Sequence, residues 1–233
     1  MPGGISRRLK DRFYYWAYRR LVRTATRKKR RAQEEILRNV TRRQPIWLLD
    51  TEISQLIECV QRTQKVSGDI AEVGTYEGAT AKLIAQVKGQ KPLHLFDTFE
   101  GMPEVSSADG KLFFKGQFTP NKSLEDLKAE FQGYPDTHLY AGVFPAETSH
   151  FVADRRFAFV HLDVDIYQST LDSLGFFYPR MNPGAIILSH DYGISEGVRK
   201  AFDEFFADRT EPVIPVAGSQ CLVVKSGECQ GPA

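Results

Sequence analysis

From Asp69 to Ser189 the chain repeats one pattern five times: a short apolar, β-prone run, then a stretch with helical period. The runs are 70–73, 93–96, 138–141, 157–162 and 185–189. Runs of four to six such residues suit strands buried on both faces. Strands alternating with helices predict an α/β fold with a doubly wound, Rossmann-like, mostly parallel sheet and right-handed crossovers. The helices are expected near 51–63, 77–87, 123–131, 168–178 and 195–207, with a short one near 146–153. Two further runs, 213–216 and 221–224, lie close enough together to pair antiparallel at the C-terminal end of the sheet.

The run 157–162 ends in Asp163 and Asp165. Alternate residues of an extended chain point the same way, so two like charges would stand side by side next to a dry core. A cation or a polar substrate would relieve the repulsion; a solvated, turn-initiating pair is the plain alternative. The run 185–189 ends in His190 and Asp191. In open α/β sheets ligands bind outside the carboxyl ends of the strands, and these two runs are expected to be neighbours. Asp163 and Asp191 would then face one cleft.

The first run leads into Glu72-Val-Gly-Thr-Tyr-Glu-Gly78. A glycine after the first strand of such a sheet lets a ligand approach the backbone closely, although an ordinary strand–helix turn also uses glycine. The spacing lacks the Gly-x-Gly-x-x-Gly of dinucleotide binders and the Gly-Lys-Ser/Thr of triphosphate binders. Glu72 is expected to hold an ammonium group. Asp97, which ends the second run, is expected to accept hydrogen bonds from the two hydroxyls of a ribose. An ammonium-binding acid, a glycine turn without phosphate features and a ribose acid together describe S-adenosylmethionine.

Five blocks in order make a family resemblance specific: the Glu72–Gly78 stretch, Phe96-Asp-Thr-Phe-Glu-Gly-Met-Pro103, Gly142-Val-Phe-Pro-Ala-Glu-Thr148, Leu162-Asp-Val-Asp-Ile-Tyr-Gln-Ser-Thr170 and His190-Asp-Tyr192. Over about residues 46–225 the chain resembles the macrocin O-methyltransferase family of class I S-adenosylmethionine-dependent enzymes. The resemblance implies a cofactor loop at Glu72, Gly74 and Tyr76, a ribose end at Asp97, Thr98 and Phe99, and an adenine side at Val143. It implies a divalent metal, usually Mg²⁺, at Asp163 and at the pair His190 and Asp191, with Asp165 matching the general base of some members. The family usually carries two acids where this chain has His190 and Asp191. Imidazole is a poor ligand for Mg²⁺ and a better one for Mn²⁺, Fe²⁺ or Zn²⁺. Three readings stay open: Mg²⁺ on Asp163 and Asp191 with waters, another metal, or His190 as a catalytic base.

The implied activity is O-methylation of a hydroxyl on a sugar, a glycosylated small molecule or a lipid-linked saccharide. Two alternatives use the same residues. A metal-dependent glycosyltransferase would take the Asp-x-Asp as its metal site but leaves Glu72, Gly74 and Asp97 without roles. A non-catalytic binding protein on the same fold would need none of the chemistry. His94 and His161 lie within runs and are expected in the core, whereas His138 and His150 are expected at the surface. The long 98–122 connection, with Phe113, Phe114 and Phe118, is expected to form a lid over the acceptor.

Charge divides the chain. Residues 1–43 hold 15 Lys/Arg against 3 Asp/Glu, and residues 44–233 hold 16 against 26. Residues 1–44 read as a basic helical extension over 5–43 with a break near 27–31, residues 45–226 as the methyltransferase domain and 227–233 as a disordered tail. Arginines interleaved with Tyr14, Tyr15, Trp16 and Tyr18 suit an anionic membrane interface, the phosphates of a nucleic acid, or packing on the body or on a second copy in a homo-oligomer. No apolar run approaches the roughly 20 residues of a membrane span. Three cysteines without metal spacing suit the reducing cytosol, so a cytoplasmic protein, peripheral at the inner face of the membrane, is expected.

Overall fold

The structure, a computed structural model, describes residues 14–21, 24, 31, 33–38, 40 and 46–227. The chain divides into two compact units, residues 1–43 and residues 44–233. In the first unit every described residue is helical. The rest of the expected 5–43 helix, residues 27–30 of the break expected near 27–31 and residues 228–233 of the expected tail lie outside the described residues, while Arg31, at the end of that expected break, is helical. No helix among the described residues is long and apolar enough to cross a membrane.

The second unit is built on a seven-stranded sheet. Its strands are β1 (Asp69–Val73), β2 (Leu93–Asp97), β3 (Thr137–Ala141), β4 (Phe157–Leu162), β5 (Met181–Ser189), β6 (Ile214–Pro215) and β7 (Cys221–Val224). The order across the sheet is β3-β2-β1-β4-β5-β7-β6. The first five are parallel; β7 runs antiparallel to β5, and β6 antiparallel to β7. The expected fold class is therefore what the chain adopts. Every residue of β1 and of β4 is buried, Asp69, Glu72 and His161 included, as expected at the centre of a parallel sheet covered on both faces. β6 is shorter than its 213–216 run: it is exposed, and Pro215 has no N–H to donate, which suits an edge.

Five helices flank the sheet: α1 (Asp50–Arg62), α2 (Ala79–Val87), α3 (Leu124–Phe131), α4 (Tyr167–Phe177) and α5 (Glu196–Phe206). α1 lies against α2, and α4 against α5. α1 buries Ile53, Leu56, Ile57 and Val60, the face its spacing predicts. Neither Asp50 nor Thr51 caps it. Glu52 reaches back to the Leu49 N–H at 2.7 Å, in the manner of the third residue of a capping box. Near 149–152 the expected short helix is a single 3₁₀ turn. Phe157 and Phe177 pack edge to face at 4.9 Å under the sheet, each fully buried and contributing roughly 1.5–3 kcal/mol.

Register sets up the site. Val73 pairs with Phe96 and Leu162, and Leu162 pairs with Ser189. The ladders continue one step further: Gly74 N–H donates to Phe96 O, Asp163 N–H to Val73 O and His190 N–H to Leu162 O, each at 2.9 Å. Asp97, Gly74, Asp163 and His190 thus form one row along the carboxyl ends of four adjacent strands. The chain order reverses between β1 and β4, where ligand crevices form in such sheets.

Candidate active site

A cavity of about 470 Å³ opens over that row. On one side its wall is made by Gly74, Tyr76, Asp97, Thr98, Gly142, Val143 and Phe144; on the other by Asp163, Asp165, His190 and Asp191. Trp47, Met102, Phe113, Phe118, Ser169 and Ile194 also line it.

Gly74 is needed for a reason the sequence did not indicate. It has φ +90°, and a Cβ there would stand 1.8 Å from the Asp163 carbonyl oxygen. Only glycine lets the ends of β1 and β4 come together, so it places Asp163 as well as opening the turn. Asp97 organises the opposite side. One of its carboxylate oxygens accepts the Tyr76 N–H and the other the Phe99 N–H, both at 2.7 Å. Tyr76 and Phe99 have positive φ, +48° and +55°, conformations those hydrogen bonds help to hold. Burial pushes the Asp97 carboxyl upward, and the two backbone donors only partly offset it.

The acidic side is a charge network. His190 Nδ1 lies 3.0 Å from Asp163 Oδ1 and 3.1 Å from Asp191 Oδ2. Burial alone would favour the neutral ring, but the two carboxylates hold the imidazolium, raising it to about 11. Burial likewise raises Asp165, and its hydrogen bond to Asp191 and the charges of Asp163 and Asp191 push it well above the usual carboxylate range. Asp191 moves down despite burial, because His190 and Asp165 donate to it. Asp165 and Asp191 both have positive φ, +63° and +61°. Ser195, the cap of α5, ties them together: its Oγ–H donates to Asp165 O at 2.8 Å and its N–H to Asp191 O at 2.7 Å.

Behind His190 stands Glu52. Its Oε2 is 3.6 Å from His190 Nε2, while its Oε1 accepts the Ser219 N–H at 2.7 Å and the Ser219 hydroxyl at 2.9 Å. Burial opposes its charge, yet the Ser219 and Leu49 donors leave it below the usual range. Nδ1 of His190 therefore faces the two aspartates and Nε2 faces Glu52.

The donor set fits a divalent cation. Ligand atoms of Asp163, His190 and Asp191 lie within 4.8 Å of one another. Two carboxylate oxygens and one imidazole nitrogen suit a mixed-donor ion such as Mn²⁺, Fe²⁺ or Zn²⁺ better than Mg²⁺. A proton on Nδ1 and a cation would compete for the same position.

Of the residues expected at the site, Gly74, Tyr76, Asp97, Thr98, Val143, Asp163, Asp165, His190 and Asp191 line the cavity. Glu72 and Phe99 do not. Glu72 is fully buried behind the wall, with Oε1 3.0 Å from His161 Nδ1. A carboxylate enclosed there pairs with its neighbour in β4 rather than reaching an ammonium group in the cavity. Its Oε2 and His161 Nε2 have no partner, so His161 is a core residue only half satisfied. Phe99 contributes through its N–H to Asp97. His94 is the expected core histidine, bonded to Tyr140 and Asp69, and His138 and His150 are exposed.

The 98–122 connection is folded on itself and fastened. Met102 N–H donates to Gln117 O and Gly116 N–H to Met102 O, at 2.7 and 2.9 Å. Asp109, buried, accepts the Tyr167 N–H at 2.5 Å at the start of α4 and the Ser106 N–H at 2.8 Å. Phe113 is buried with Met102 and Ile166 and lines the cavity with Phe118, whereas Phe114 points elsewhere, 64% exposed. Trp47, Glu52 and Asp109 were not expected at or behind the site. None of the three carries a local signal: Glu52 stands three residues after Leu49, which lacks the side-chain oxygen of a capping box.

Comparison with known proteins bears on the family and the fold. The sequence profile of the family described as Macrocin-O-methyltransferase (TylF) matches residues 19–219, beginning inside the basic arm rather than near residue 46. The 8-demethyl-8-(2,3-dimethoxy-alpha-L-rhamnosyl)-tetracenomycin-C 4'-O-methyltransferase of Streptomyces olivaceus is 29% identical over 55% of this chain and 54% of its own length. The demethyldecarbamoylnovobiocin O-methyltransferase of Streptomyces niveus is 24% identical over 66% of this chain and 65% of its own. The chain thus spans between about half and two thirds of the curated relatives it matches. Among solved structures, the calicheamicin methyltransferase CalS11 superposes with a TM-score of 0.64 at 18% identity, covering 84% of this chain and 92% of that one. At that identity the likeness is one of fold.

Proposed function

The chain belongs to the macrocin O-methyltransferase family, and from that premise we propose that it transfers a methyl group from S-adenosylmethionine to a hydroxyl of a sugar or glycosylated small molecule, with a divalent cation. The observation that carries this reading is the row Asp97, Gly74, Asp163 and His190 along adjacent strand ends, facing one cavity.

S-adenosylmethionine would supply the methyl group on a sulfonium, and the cation the positive charge that favours an ionised acceptor oxygen. Asp97 would accept the ribose hydroxyls, and Val143 and Phe144 would flank the adenine. Asp163, His190 and Asp191 would hold the cation. With Nδ1 of His190 on that side and Nε2 turned toward Glu52, Asp165 is the carboxyl left to take the acceptor's proton. Here it holds a proton toward Asp191, which the positive charge of a cation on Asp163 and Asp191 would release, leaving the carboxylate free to act as the base. Phe113, Met102 and Ile194 would keep water from the reacting atoms, so that alignment contributes most of the acceleration.

Calorimetric titration of the full chain with S-adenosylmethionine, with and without Mn²⁺ or Mg²⁺, tests this. Cofactor binding in both conditions is expected, and with an acceptor sugar present mass spectrometry is expected to show a singly methylated product only when a cation is supplied. Absence of cofactor binding overturns the reading, and binding of a nucleotide-sugar in its place would favour a glycosyltransferase.

The acceptor class extends to saccharides carried on lipid. The arm supports this: Tyr14, Tyr15, Trp16, Tyr18 and Leu21 are each more than half exposed, and the guanidinium groups of Arg19 and Arg20 lie over the rings of Tyr15 and Trp16 at 5.6 and 5.4 Å. Exposed aromatics with arginines fit the headgroup layer of an anionic membrane.

A further inference from the structure

The cavity wall carries one large aromatic surface to which cofactor and cation leave no role. Resting on the methyltransferase reading above, we propose that Trp47 is the platform on which the acceptor's sugar ring stacks. Trp47 lines the same cavity as Asp163, Asp165 and His190, yet is 70% exposed. An indole left this open within a pocket wall offers its ring to a ligand. It is also held in place. Its ring meets Phe118 edge-on, centroids 6.5 Å apart, and Phe118 meets Tyr76 of the cofactor side in the same way at 6.0 Å. Its backbone is fastened close by: Leu48 is buried, and the Leu49 N–H is held by Glu52, the residue behind His190.

The chemistry of the two walls matches a pyranose. One face of such a ring is a patch of C–H groups and its edge is a fringe of hydroxyls. The indole covers the first, and the Asp165, Asp163 and Asp191 carboxylates meet the second. A wholly apolar acceptor would cover the acidic wall without supplying the hydrogen bonds that water gives its remaining lone pairs, and a wholly polar one would gain nothing from the indole.

The chain has two tryptophans, Trp16 and Trp47. In full-length protein carrying Trp16→Phe, Trp47 is the sole tryptophan, and its emission is read with excitation at the red edge of the indole band, where tyrosine does not absorb. With S-adenosylhomocysteine and Mn²⁺ present, titration with methyl α-L-rhamnopyranoside is expected to change its emission saturably. By calorimetry, Trp47→Ala should bind the rhamnoside about tenfold more weakly, as expected for the loss of roughly 1.4 kcal/mol of stacking, and Trp47→Phe should retain most of the affinity. S-adenosylhomocysteine affinity should be the same in all variants, because the proposed platform contacts the acceptor and reaches Tyr76 of the cofactor loop only through Phe118. Rhamnoside binding without an emission change, unaltered binding by Trp47→Ala, or no rhamnoside binding at all would each overturn the platform. If S-adenosylhomocysteine still binds in those samples, the cofactor site stands and the sugar platform alone falls. If it does not, the methyltransferase reading falls, and the platform with it.

Discussion

At the scale of single residues, the centre is a balance of charge around His190. Two carboxylates share its Nδ1, and in their company the ring is a cation. A divalent ion bound by Asp163, His190 and Asp191 would replace that proton, so affinity should rise with pH as the proton becomes easier to displace. Asp163→Asn and Asp191→Asn are each expected to abolish turnover and to leave cofactor affinity nearly unchanged, since both act on the acceptor side. Activity of either variant at the wild-type level after EDTA treatment would exclude the cation. His190→Asp would restore an all-oxygen donor set and should move the preference from Mn²⁺ toward Mg²⁺. Activation curves for the two ions, measured in parallel, check the shift.

At the scale of elements, the site depends on caps and clamps that join distant segments. Glu52 caps α1 and holds the Ser219 turn; Asp109 joins the long connection to α4. Glu211 does the same for the end of β7. It is buried, and its Oε1 accepts the Ser226 N–H at 3.2 Å and the Ser226 hydroxyl at 2.7 Å, with Lys225 Nζ at 3.4 Å. Burial works against its charge, but the Ser226 and Tyr178 donors bring it down from 4.5 to about 2. A carboxyl lowered on folding contributes stability above its unfolded value, and that contribution is lost as pH falls through the folded value. Glu211→Gln should therefore cost about 1–3 kcal/mol at neutral pH, with the gap to wild type closing between pH 4.5 and about 2. Urea unfolding at a series of pH values measures it; a gap that stays constant with pH would show that Glu211 acts through packing alone.

At the scale of the whole molecule, charge is divided between an arm of 15 basic and 3 acidic residues and a body of 16 basic and 26 acidic ones. Near an anionic leaflet each Lys or Arg contributes roughly 1 kcal/mol, so part of the arm's excess would suffice for attachment. Screening over about 8 Å at physiological salt makes the attraction salt-sensitive. The full chain is expected to sediment with phosphatidylserine-containing vesicles at low salt and to be released as salt rises. The double variant Arg19→Glu, Arg20→Glu should sediment less. Failure of the full chain to sediment at low salt would remove the membrane from the arm's functions.

The sequence by itself determined the succession of strands and helices, the parallel core and the acids that end β2, β4 and β5, because periodicity and apolar runs report local burial directly. It also pointed to most of the cavity wall, since a residue at a strand's carboxyl end stands beside the crevice whichever strand is next to it. Tertiary structure decided the partners. Register brought Gly74 against the Asp163 carbonyl, so that glycine there shapes the acidic side as well as the turn. Pairing of β1 with β4 enclosed Glu72 against His161, 89 residues away. The packing of α1 joined Glu52 to Ser219 across 167 residues, and the same segment carried Trp47 into the wall. Such contacts follow from which strands are neighbours and by how much they are offset, and local periodicity carries no record of either.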